Sequence, residues 1–181
     1  MSETNNATLI SLFTNIANAI RERTGKSDKI VADDFPFALA SIPNNSVLLS
    51  IVDKSITELP GTYLEGITSI GDYAFYGCQN LALTSLPEGI TNIDRYAFSG
   101  CLNLALTSLP RGVTTLGDEC FYGCTKLTTL TFNGTPNSIS SNAFNFCNNL
   151  TTINVPWSEG EVANAPWGAT KATINYNYKE G

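Results

Sequence analysis

The sequence has no histidine among its 181 residues and only a small share of charged residues. Histidine is the commonest acid–base residue near neutral pH and a member of Ser–His–Asp triads and HExxH zinc sites, so its absence excludes those catalytic sites. Charged residues make up 14% of the chain, and the net charge is −6 at pH 7. Because nucleic-acid binding depends on a basic patch, and none is visible, we expect neither an enzyme nor a nucleic-acid-binding protein.

Long apolar runs are also absent. The longest uninterrupted apolar run is only a few residues, so the sequence predicts no transmembrane helix and no membrane insertion. Residues 1–6 lack the basic segment that precedes the apolar core of a secretory signal, and we expect no such signal in the chain as given. The hydrophobic content of 43% is normal for a globular protein, and the length suffices for one domain with a sizeable core.

A strict repeat with a period of twenty-three occupies residues 67–156. Five apolar columns recur at this spacing without drift: Ile70, Ile93, Leu116 and Ile139; Phe75, Phe98, Phe121 and Phe144; Cys78, Cys101, Cys124 and Cys147; Leu81, Leu104, Leu127 and Leu150; Leu86, Leu109, Phe132 and Val155. A fixed period of this order is typical of solenoids and arrays. One unit of this length cannot bury its own apolar face, so we expect stacked coils that share one core.

Each repeat contains signals for a turn and for two extended segments. The spacing of Ala74, Phe75 and Cys78 predicts one short helical or 3₁₀ turn. Residues 127–132 alternate between apolar and polar, which predicts a strand, and residues 90–93 form a second extended piece that completes the coil. The pattern therefore predicts a coil made of a turn and two strand segments.

The repeat resembles a known family in two segments above all. Residues 67–78 read Ile-Thr-Ser-Ile-Gly-Asp-Tyr-Ala-Phe-Tyr-Gly-Cys, and residues 113–124 read Val-Thr-Thr-Leu-Gly-Asp-Glu-Cys-Phe-Tyr-Gly-Cys. Both resemble the BspA-like subclass of leucine-rich repeats. The resemblance covers about half of the chain and implies a short right-handed solenoid with a strand face. It implies no particular activity, because the class serves as an adhesion and recognition scaffold in many settings.

The five cysteines follow the repeat as well. Four of them form one column, and Cys120 stands where the other repeats have alanine. The C-x-x-C spacing of metal sites is absent, and stacked side chains that point the same way form disulfides poorly. We interpret the cysteines as a buried ladder of small apolar side chains and expect no metal and no cofactor. Free thiols fit assembly in a reducing cytoplasm.

The N-terminal segment carries a helical pattern. Residues 7–23 predict an amphipathic helix with its apolar stripe on Leu9, Phe13, Ile16 and Ile20. A second short helix is expected to begin near Asp33 or Asp34, with Pro36 in its first turn. Residues 1–45 would then form a helical hairpin that either caps the solenoid or docks the protein onto a larger assembly.

Both flanks resemble segments of bacteriophage proteins. Residues 16–30 read Ile-Ala-Asn-Ala-Ile-Arg-Glu-Arg-Thr-Gly-Lys-Ser-Asp-Lys-Ile and resemble a short element that accompanies tail, baseplate or fibre-like modules of virions. Residues 155–169 resemble C-terminal segments of phage-encoded repeat proteins. The chain is turn-rich after residue 156, and residues 172–178 alternate as a strand, which predicts a cap that pairs with the final coil and covers its open edge.

These patterns predict an α+β repeat solenoid in three parts. Residues 1–45 form the helical docking or capping segment, residues 46–156 the repeat solenoid, and residues 157–181 the C-terminal β cap.

Several side chains are candidates for interaction with a partner. Leu83 and Leu106 occupy outward positions of their strands and are predicted to form an exposed contact patch, unless a local bulge turns both of them inward. The aromatic candidates are the pair Tyr73 and Tyr96, the pair Tyr76 and Tyr122, and the two tryptophans Trp157 and Trp167. The tyrosine pairs are either ordinary half-buried side chains or a stacking surface for glycan or protein.

The function predicted from these features is a non-enzymatic structural protein of a bacteriophage virion. We expect it to be tail-associated, to assemble in the host cytoplasm, and to bind other virion proteins or a host surface protein or glycan. Two alternatives stay open: an extracellular or cell-surface adhesion module, and a capsid decoration protein. A homo-oligomer is compatible with each of them.

Overall fold

The computed structural model describes residue 54, residues 56–58 and residues 67–179. The predicted N-terminal hairpin and its stripe of Leu9, Phe13, Ile16 and Ile20 lie outside the described residues. The strands, in chain order, are β1 (Ser69–Ile70), β2 (Asn92–Ile93), β3 (Ser108–Leu109), β4 (Thr115–Leu116), β5 (Thr129–Phe132), β6 (Ser138–Ile139), β7 (Thr152–Asn154) and β8 (Thr173–Asn175). They form two parallel sheets of four strands each, so the described part is a β-solenoid.

The first sheet runs in the order β1-β2-β4-β6. Each of its strands begins one full sequence period after the strand before it. The register pairs Ile70 with Ile93, Ile93 with Leu116, and Leu116 with Ile139. One sequence period is therefore one coil, as predicted, and the isoleucine column is a continuous ladder in the core.

The second sheet runs in the order β3-β5-β7-β8. Its last strand comes from the C-terminal segment and lies parallel to β7, with Thr152 opposite Thr173. The predicted C-terminal strand therefore pairs with the final coil. The step from Thr152 to Thr173 is two positions shorter than the step from Thr129 to Thr152, so the last coil is tighter than the repeats. Strand β8 is itself the edge of the sheet, and it is only three residues long.

The core is built between coils. The rings of Phe75, Phe98, Phe121 and Phe144 stack in sequence, with centroid distances of 5.2, 5.6 and 5.3 Å. All four phenylalanines are fully buried. Phe98 thus lies between the neighbouring coils, as the columns predict, and its burial depends on contacts that only stacking supplies.

The turn that follows each strand of the first sheet has hydrogen bonds of the 3₁₀ type but forms no continuous helix. Ala74, Tyr76 and Cys78 donate their N–H groups to carbonyl oxygens three residues earlier, at 3.2, 3.1 and 3.0 Å. The intervening Phe75 and Gly77 donate to carbonyl oxygens of the next coil, both at 2.7 Å. A continuous helix directs every N–H into its own turn, so this alternation excludes one and leaves isolated 3₁₀-type turns, the second of the two predicted forms. The described part contains no helix and is all-β, whereas the helical part of the predicted α+β class, the N-terminal hairpin, lies outside the described residues.

All five cysteines lie in the described part, where they are buried and form no disulfide. The predicted ladder of buried cysteines is confirmed, but the thiols also form hydrogen bonds in addition to packing in the core. Three of them donate to carbonyl oxygens of the preceding coil: Cys101 to Phe75 at 3.1 Å, Cys124 to Phe98 at 3.2 Å, and Cys147 to Phe121 at 3.0 Å. Each of these thiols therefore ties its coil to the coil before it. Burial raises the pKa of the Cys147 thiol to about 12.

The predicted leucine patch is wrong. Leu83 and Leu106 are only 9% and 2% exposed, whereas Thr84 and Thr107 face solvent. The alternative of an irregular segment is the one observed. The residue just before a regular strand, such as Thr91 or Thr114, donates to its equivalent in the preceding coil, and Thr107 does the same before β3. Ala105 departs from this pattern, because it donates to Leu83, one position past its equivalent. This shift turns both leucines into the core, where their burial is favourable.

The two tryptophans are also core residues, which corrects their assignment as interaction candidates. Trp157 is 3% exposed and Trp167 is fully buried. Their rings lie 6.2 Å apart, and the ring of Phe132 lies 5.3 Å from that of Trp157. These aromatic side chains close the end of the core under the C-terminal segment, because the last coil has no further repeat to cover it.

Candidate functional site

The largest exposed aromatic side chains lie on one edge of the solenoid. We call this surface the turn edge; it consists of residues 71–78, 94–101, 117–124 and 140–147, which stack as equivalent turns. Tyr73, Tyr76 and Phe146 are 50%, 47% and 60% exposed there, and Tyr96 and Tyr122 are half-buried. Of the interaction candidates named from the sequence, the four tyrosines therefore remain accessible to a partner.

Three tyrosines form one cluster. The rings of Tyr73 and Tyr96 stack at 5.0 Å with an interplanar angle of 25°. Tyr76 packs edge-on against both of them, at 5.7 Å from Tyr73 and 6.4 Å from Tyr96. The predicted pairing of Tyr73 with Tyr96 is therefore confirmed, and the three rings present a continuous aromatic surface.

Two cations lie on this cluster. The guanidinium of Arg95 sits 4.8 Å from the centre of the Tyr96 ring, and the ammonium of Lys54 sits 5.3 Å from the Tyr76 ring. Asp118 lies 3.8 Å from Nε of Arg95, and Asp72 accepts a hydrogen bond from the Arg95 backbone at 2.9 Å. Both partners of the ion pair are well exposed, so it contributes at most about 1 kcal/mol, and its main effect is to orient the arginine over the ring.

A second aromatic pair lies further along the turn edge. Tyr122 contacts Phe146, with ring centroids 4.9 Å apart. The predicted pairing of Tyr76 with Tyr122 is wrong, because Tyr76 packs on the first cluster and Ser99 occupies the same position in the coil between them. Sequence reasoning missed Phe146, although a signal was present: it stands in the column that holds glycine in the three earlier repeats.

The backbone under these aromatic residues adopts a conformation that side chains disfavour. Tyr73, Tyr96 and Phe146 have positive φ angles of 58°, 55° and 61°. The glycines equivalent to Phe146 have φ angles of 67–75°. A bulky residue in this left-handed region costs about 1–2 kcal/mol, and such strain concentrates at functional positions. Glu119, in the same column as Tyr73 and Tyr96, is also left-handed at a φ of 50°, so this conformation is a property of the turn, and the aromatic side chains are placed on it.

The chemistry available at the turn edge is that of binding. Its side chains offer aromatic faces, phenol hydroxyls and two cations. The described residues include no cluster of three or more histidine, cysteine or acidic side chains that could hold a metal. The cysteines that lie beneath the turn edge are buried, and burial raises the pKa of Cys120 and Cys124 well above the usual value.

Within the described residues, no helix is long and apolar enough to cross a membrane.

Comparison with known proteins places the chain in a family. Residues 54–165 match the BspA type leucine rich repeat region, with six copies. No curated protein is significantly similar to the chain. Among solved structures, a leucine-rich repeat protein from Bacteroides ovatus is 27% identical at a TM-score of 0.38, and the match covers 56% of this chain and 32% of that one. The T. pallidum leucine rich repeat protein is 22% identical at a TM-score of 0.38, with 62% and 64% covered.

The match to these two structures spans less than two thirds of either one's own length. The family match, in contrast, includes every coil from the first described residue to the C-terminal segment. It covers the Phe, Cys and Leu columns from which the core is built and all four turns of the turn edge. Because it extends over more than half of the chain, the protein belongs to the family of BspA type leucine-rich repeat proteins.

Proposed function

We propose that the protein is a non-enzymatic recognition module that binds a protein partner through the turn edge. A leucine-rich repeat protein is suited to protein–protein recognition, and the observation that supports this particular surface is the set of exposed aromatics on positive-φ backbone. Tyrosine, phenylalanine and arginine are enriched at the centres of protein interfaces. Tyr73, Tyr76, Tyr96, Arg95 and Phe146 supply all three residue types.

The chemistry of the turn edge favours a protein over a glycan as its partner. Phe146 has no polar group and is 60% exposed beside Tyr122, so apolar surface of a protein partner suits it better than the hydroxyl groups of a glycan. The tyrosine rings already stack on one another, and the edges that remain open suit insertion of a side chain from another protein. The positive charges of Arg95 and Lys54 are offset by the carboxylates of Asp118 and Asp72 beside Arg95, so the contact offered to a partner is aromatic and not strongly charged.

The setting that we propose is the virion of a bacteriophage, with the protein attached to the tail and assembled in the host cytoplasm. The support comes from the sequence: residues 16–30 and residues 155–169 resemble segments of phage proteins. The partners would then be other virion proteins or a protein on the host surface. An adhesion module at a cell surface and a capsid decoration protein are the outcomes that the experiment below would reveal instead.

The experiment combines site-specific photo-crosslinking with localisation. A benzophenone amino acid is placed at position 76 or 146 on the turn edge, and at the solvent-facing Thr84 as a matched control away from it. We expect crosslinks from positions 76 and 146 to one defined protein of purified particles, identified by mass spectrometry, and none from position 84. Equal crosslinking from all three positions, or none, would overturn the turn edge as the recognition surface.

Localisation is read from the same preparation. Recovery of the chain in purified, tail-containing particles supports the virion setting. Recovery only in the envelope fraction of cells contradicts it and supports the adhesion module, whereas recovery in tailless capsids supports a decoration protein. The double substitution Tyr73→Ser with Phe146→Gly removes aromatic surface from both clusters and is expected to abolish the crosslink at position 76 while the chain stays folded.

A further inference from the structure

The outward side of the second sheet carries two adjacent pockets. We call this surface the strand face; it is formed by the outward side chains of β3, β5, β7 and β8. The pockets have volumes of about 350 and 610 Å³, within the range of about 300–1,000 Å³ that is typical of small-ligand sites. Thr131 and Tyr178 line both of them. The two pockets are therefore neighbouring halves of one groove, with Tyr178 on the boundary between them.

Tyr178 reaches this position because the chain turns back after β8. Its backbone N–H donates to the carbonyl oxygen of Val155 at 2.9 Å, and Asn177 donates to the carbonyl oxygen of Trp157 at 3.0 Å. These bonds fix the residue beside the strand face, while its side chain stays 38% exposed. An aromatic side chain placed by these backbone hydrogen bonds between two pockets and open to solvent offers a ring face on which a ligand can stack.

The groove is lined mainly by uncharged hydrogen-bonding groups. The hydroxyl and amide side chains of the larger pocket are Thr107, Ser108, Thr128, Thr129, Thr131 and Asn154. Lys126 is the only charged residue in that lining, and Glu88 and Arg111 both line the smaller pocket, so their charges offset each other. Such a lining suits a ligand that carries many hydroxyl groups and no net charge.

A ladder of side chains orients these groups before any ligand arrives. Nδ2 of Asn175 donates to Oδ1 of Asn154 at 2.8 Å, and Nδ2 of Asn154 donates to Oγ1 of Thr131 at 3.2 Å. Asn154 is only 7% exposed, which holds its amide in place. The hydroxyl of Thr131 accepts this bond and has no acceptor for its own proton among the described residues. That proton is therefore available to a ligand in the groove.

We propose that the strand face binds a neutral oligosaccharide, with one sugar ring stacked on Tyr178 and its hydroxyl groups bonded to Thr131 and the neighbouring threonines. This site goes beyond the protein-recognition function proposed above and shares no residue with the turn edge. A peptide added as a strand would pair with an edge strand, β3 or β8, and would not occupy the groove over β5, whose backbone groups already bond to β3 and β7. A protein interface would need exposed apolar anchors, and Tyr178 is the only large hydrophobic side chain of this surface that is exposed.

The test is a titration of the full chain with four neutral tetrasaccharides: maltotetraose, cellotetraose, chitotetraose and mannotetraose. Binding is followed by NMR shifts of the backbone amides up to about 10 mM sugar, where even weak sites of millimolar dissociation constant are occupied. We expect at least one of the four to bind, with shifts confined to β5, β7 and residues 175–178. Tetragalacturonate, a charged sugar of the same length, is expected to bind more weakly because Glu88 offsets Arg111 and only Lys126 is left to face its four carboxylates.

Two variants and two matched controls locate the site. Tyr178→Ala is expected to weaken binding by about tenfold, the loss of one aromatic contact of about 1.4 kcal/mol. Thr131→Val keeps the shape but removes both the donor and the acceptor of the Asn154 amide, and it is expected to weaken binding by about five- to tenfold. Tyr76→Ala on the turn edge and the solvent-facing Thr84→Val are expected to leave the affinity unchanged.

The outcomes separate this site from the turn edge. If none of the four neutral sugars binds, or if Tyr178→Ala and Thr131→Val leave the affinity unchanged, the proposal is overturned. It is also overturned if tetragalacturonate binds more tightly than every neutral sugar, or if position 178 crosslinks to a protein as strongly as position 76. The crosslink from position 76 is expected to persist in Tyr178→Ala, so failure of the sugar site leaves the test of protein recognition intact.

Discussion

At the residue scale, residues of one column of the repeat share a backbone conformation but differ in what that conformation costs. Gly77, Gly100 and Gly123 have positive φ angles, which glycine adopts without a steric penalty, and Phe146 has the same conformation with a large side chain. Tyr73 and Tyr96, which share another column, are likewise left-handed. The turn edge is therefore a place where stability and exposed aromatic surface are in conflict.

Phe146→Gly is expected to raise the free energy of unfolding by about 0.5–1 kcal/mol, because it relieves the left-handed strain. The measurement is urea denaturation of the two chains side by side. Gly123→Ala is the reverse test: a Cβ there meets no atom within 4 Å, so its cost of about 1 kcal/mol would be strain alone. A loss of stability in Phe146→Gly would show that contact with Tyr122 outweighs the strain.

The two buried tryptophans are expected to differ because only one of them has a hydrogen-bond partner. Nε1 of Trp167 donates to the carbonyl oxygen of Ala163 at 2.7 Å, whereas Nε1 of Trp157 is buried without a partner among the described residues. Replacing Trp157 by Phe removes an N–H donor that has no hydrogen-bond partner, and this gain offsets part of the destabilisation caused by the smaller side chain. Trp167→Phe is therefore expected to cost about 1 kcal/mol more in denaturation than Trp157→Phe. Equal losses would point to an enclosed water on Trp157.

The Cys147 thiol is expected to make stability depend on alkaline pH. Its pKa is raised from 9.0 to about 12 in the folded chain, so the unfolded chain ionises first as the pH rises. The stabilisation that the protonated Cys147 thiol gives is complete below pH 9 and is lost towards pH 12. The free energy of unfolding then falls by at most about 1.4 kcal/mol per pH unit for this thiol. Urea denaturation at pH 7 and at alkaline pH measures the loss, which should be smaller in Cys147→Ala. An unchanged slope in that variant would refute the assignment.

At the element scale, the coil holds together without long strands. Each strand of the first sheet has only two residues, and the turns that follow divide their N–H groups between their own turn and the neighbouring coil. The stability of a coil therefore depends on close approach to the adjacent coils as much as on its own local conformation. The loop after β5 brings Gly134 directly against the backbone of Arg111 in the preceding coil.

Gly134→Ala is expected to destabilise the chain by about 2–3 kcal/mol, because an added Cβ would overlap the carbonyl oxygen of Arg111 and the backbone cannot move away without breaking the coil stack. Gly89→Ala is the matched control, since a Cβ there would lie 3.6 Å from the nearest atom, at ordinary contact distance. The comparison is made from the urea concentrations at which the two variants are half unfolded. Similar stability of the two variants would mean that the loop relaxes freely.

At the scale of the whole molecule, the solenoid is a set of ladders that run from coil to coil. The phenylalanine stack, the cysteine thiols and the isoleucine register each connect a coil to the next one. Stability in such an array is the sum of contributions within coils and between neighbours. A change in a central coil should therefore affect two interfaces at once.

Phe98→Ala is expected to cost about 3–5 kcal/mol, the usual range for a fully buried phenylalanine. Its ring stacks on Phe75 on one side and on Phe121 on the other, so both interfaces lose contacts. Tyr76→Ala, on a neighbouring turn but 47% exposed, is expected to cost far less. Chemical denaturation checks both variants, and a loss below about 1 kcal/mol in Phe98→Ala would contradict its place in the core.

The fixed period and the identity of the columns were sufficient to predict the stack, its shared core, the burial of the cysteines and the central position of Phe98. They were sufficient because equal spacing in a solenoid places equivalent residues in register. The tertiary structure alone decided what periodicity does not encode. Hydrogen bonds to the next coil limit each turn to isolated 3₁₀-type bonds, and the left-handed backbone at Phe146 leaves exposed a side chain that the sequence marks only as a departure from a glycine column. A shift in hydrogen-bond spacing turned Leu83 and Leu106 inward, because the direction of a side chain depends on which residue of the neighbouring coil its own backbone bonds to.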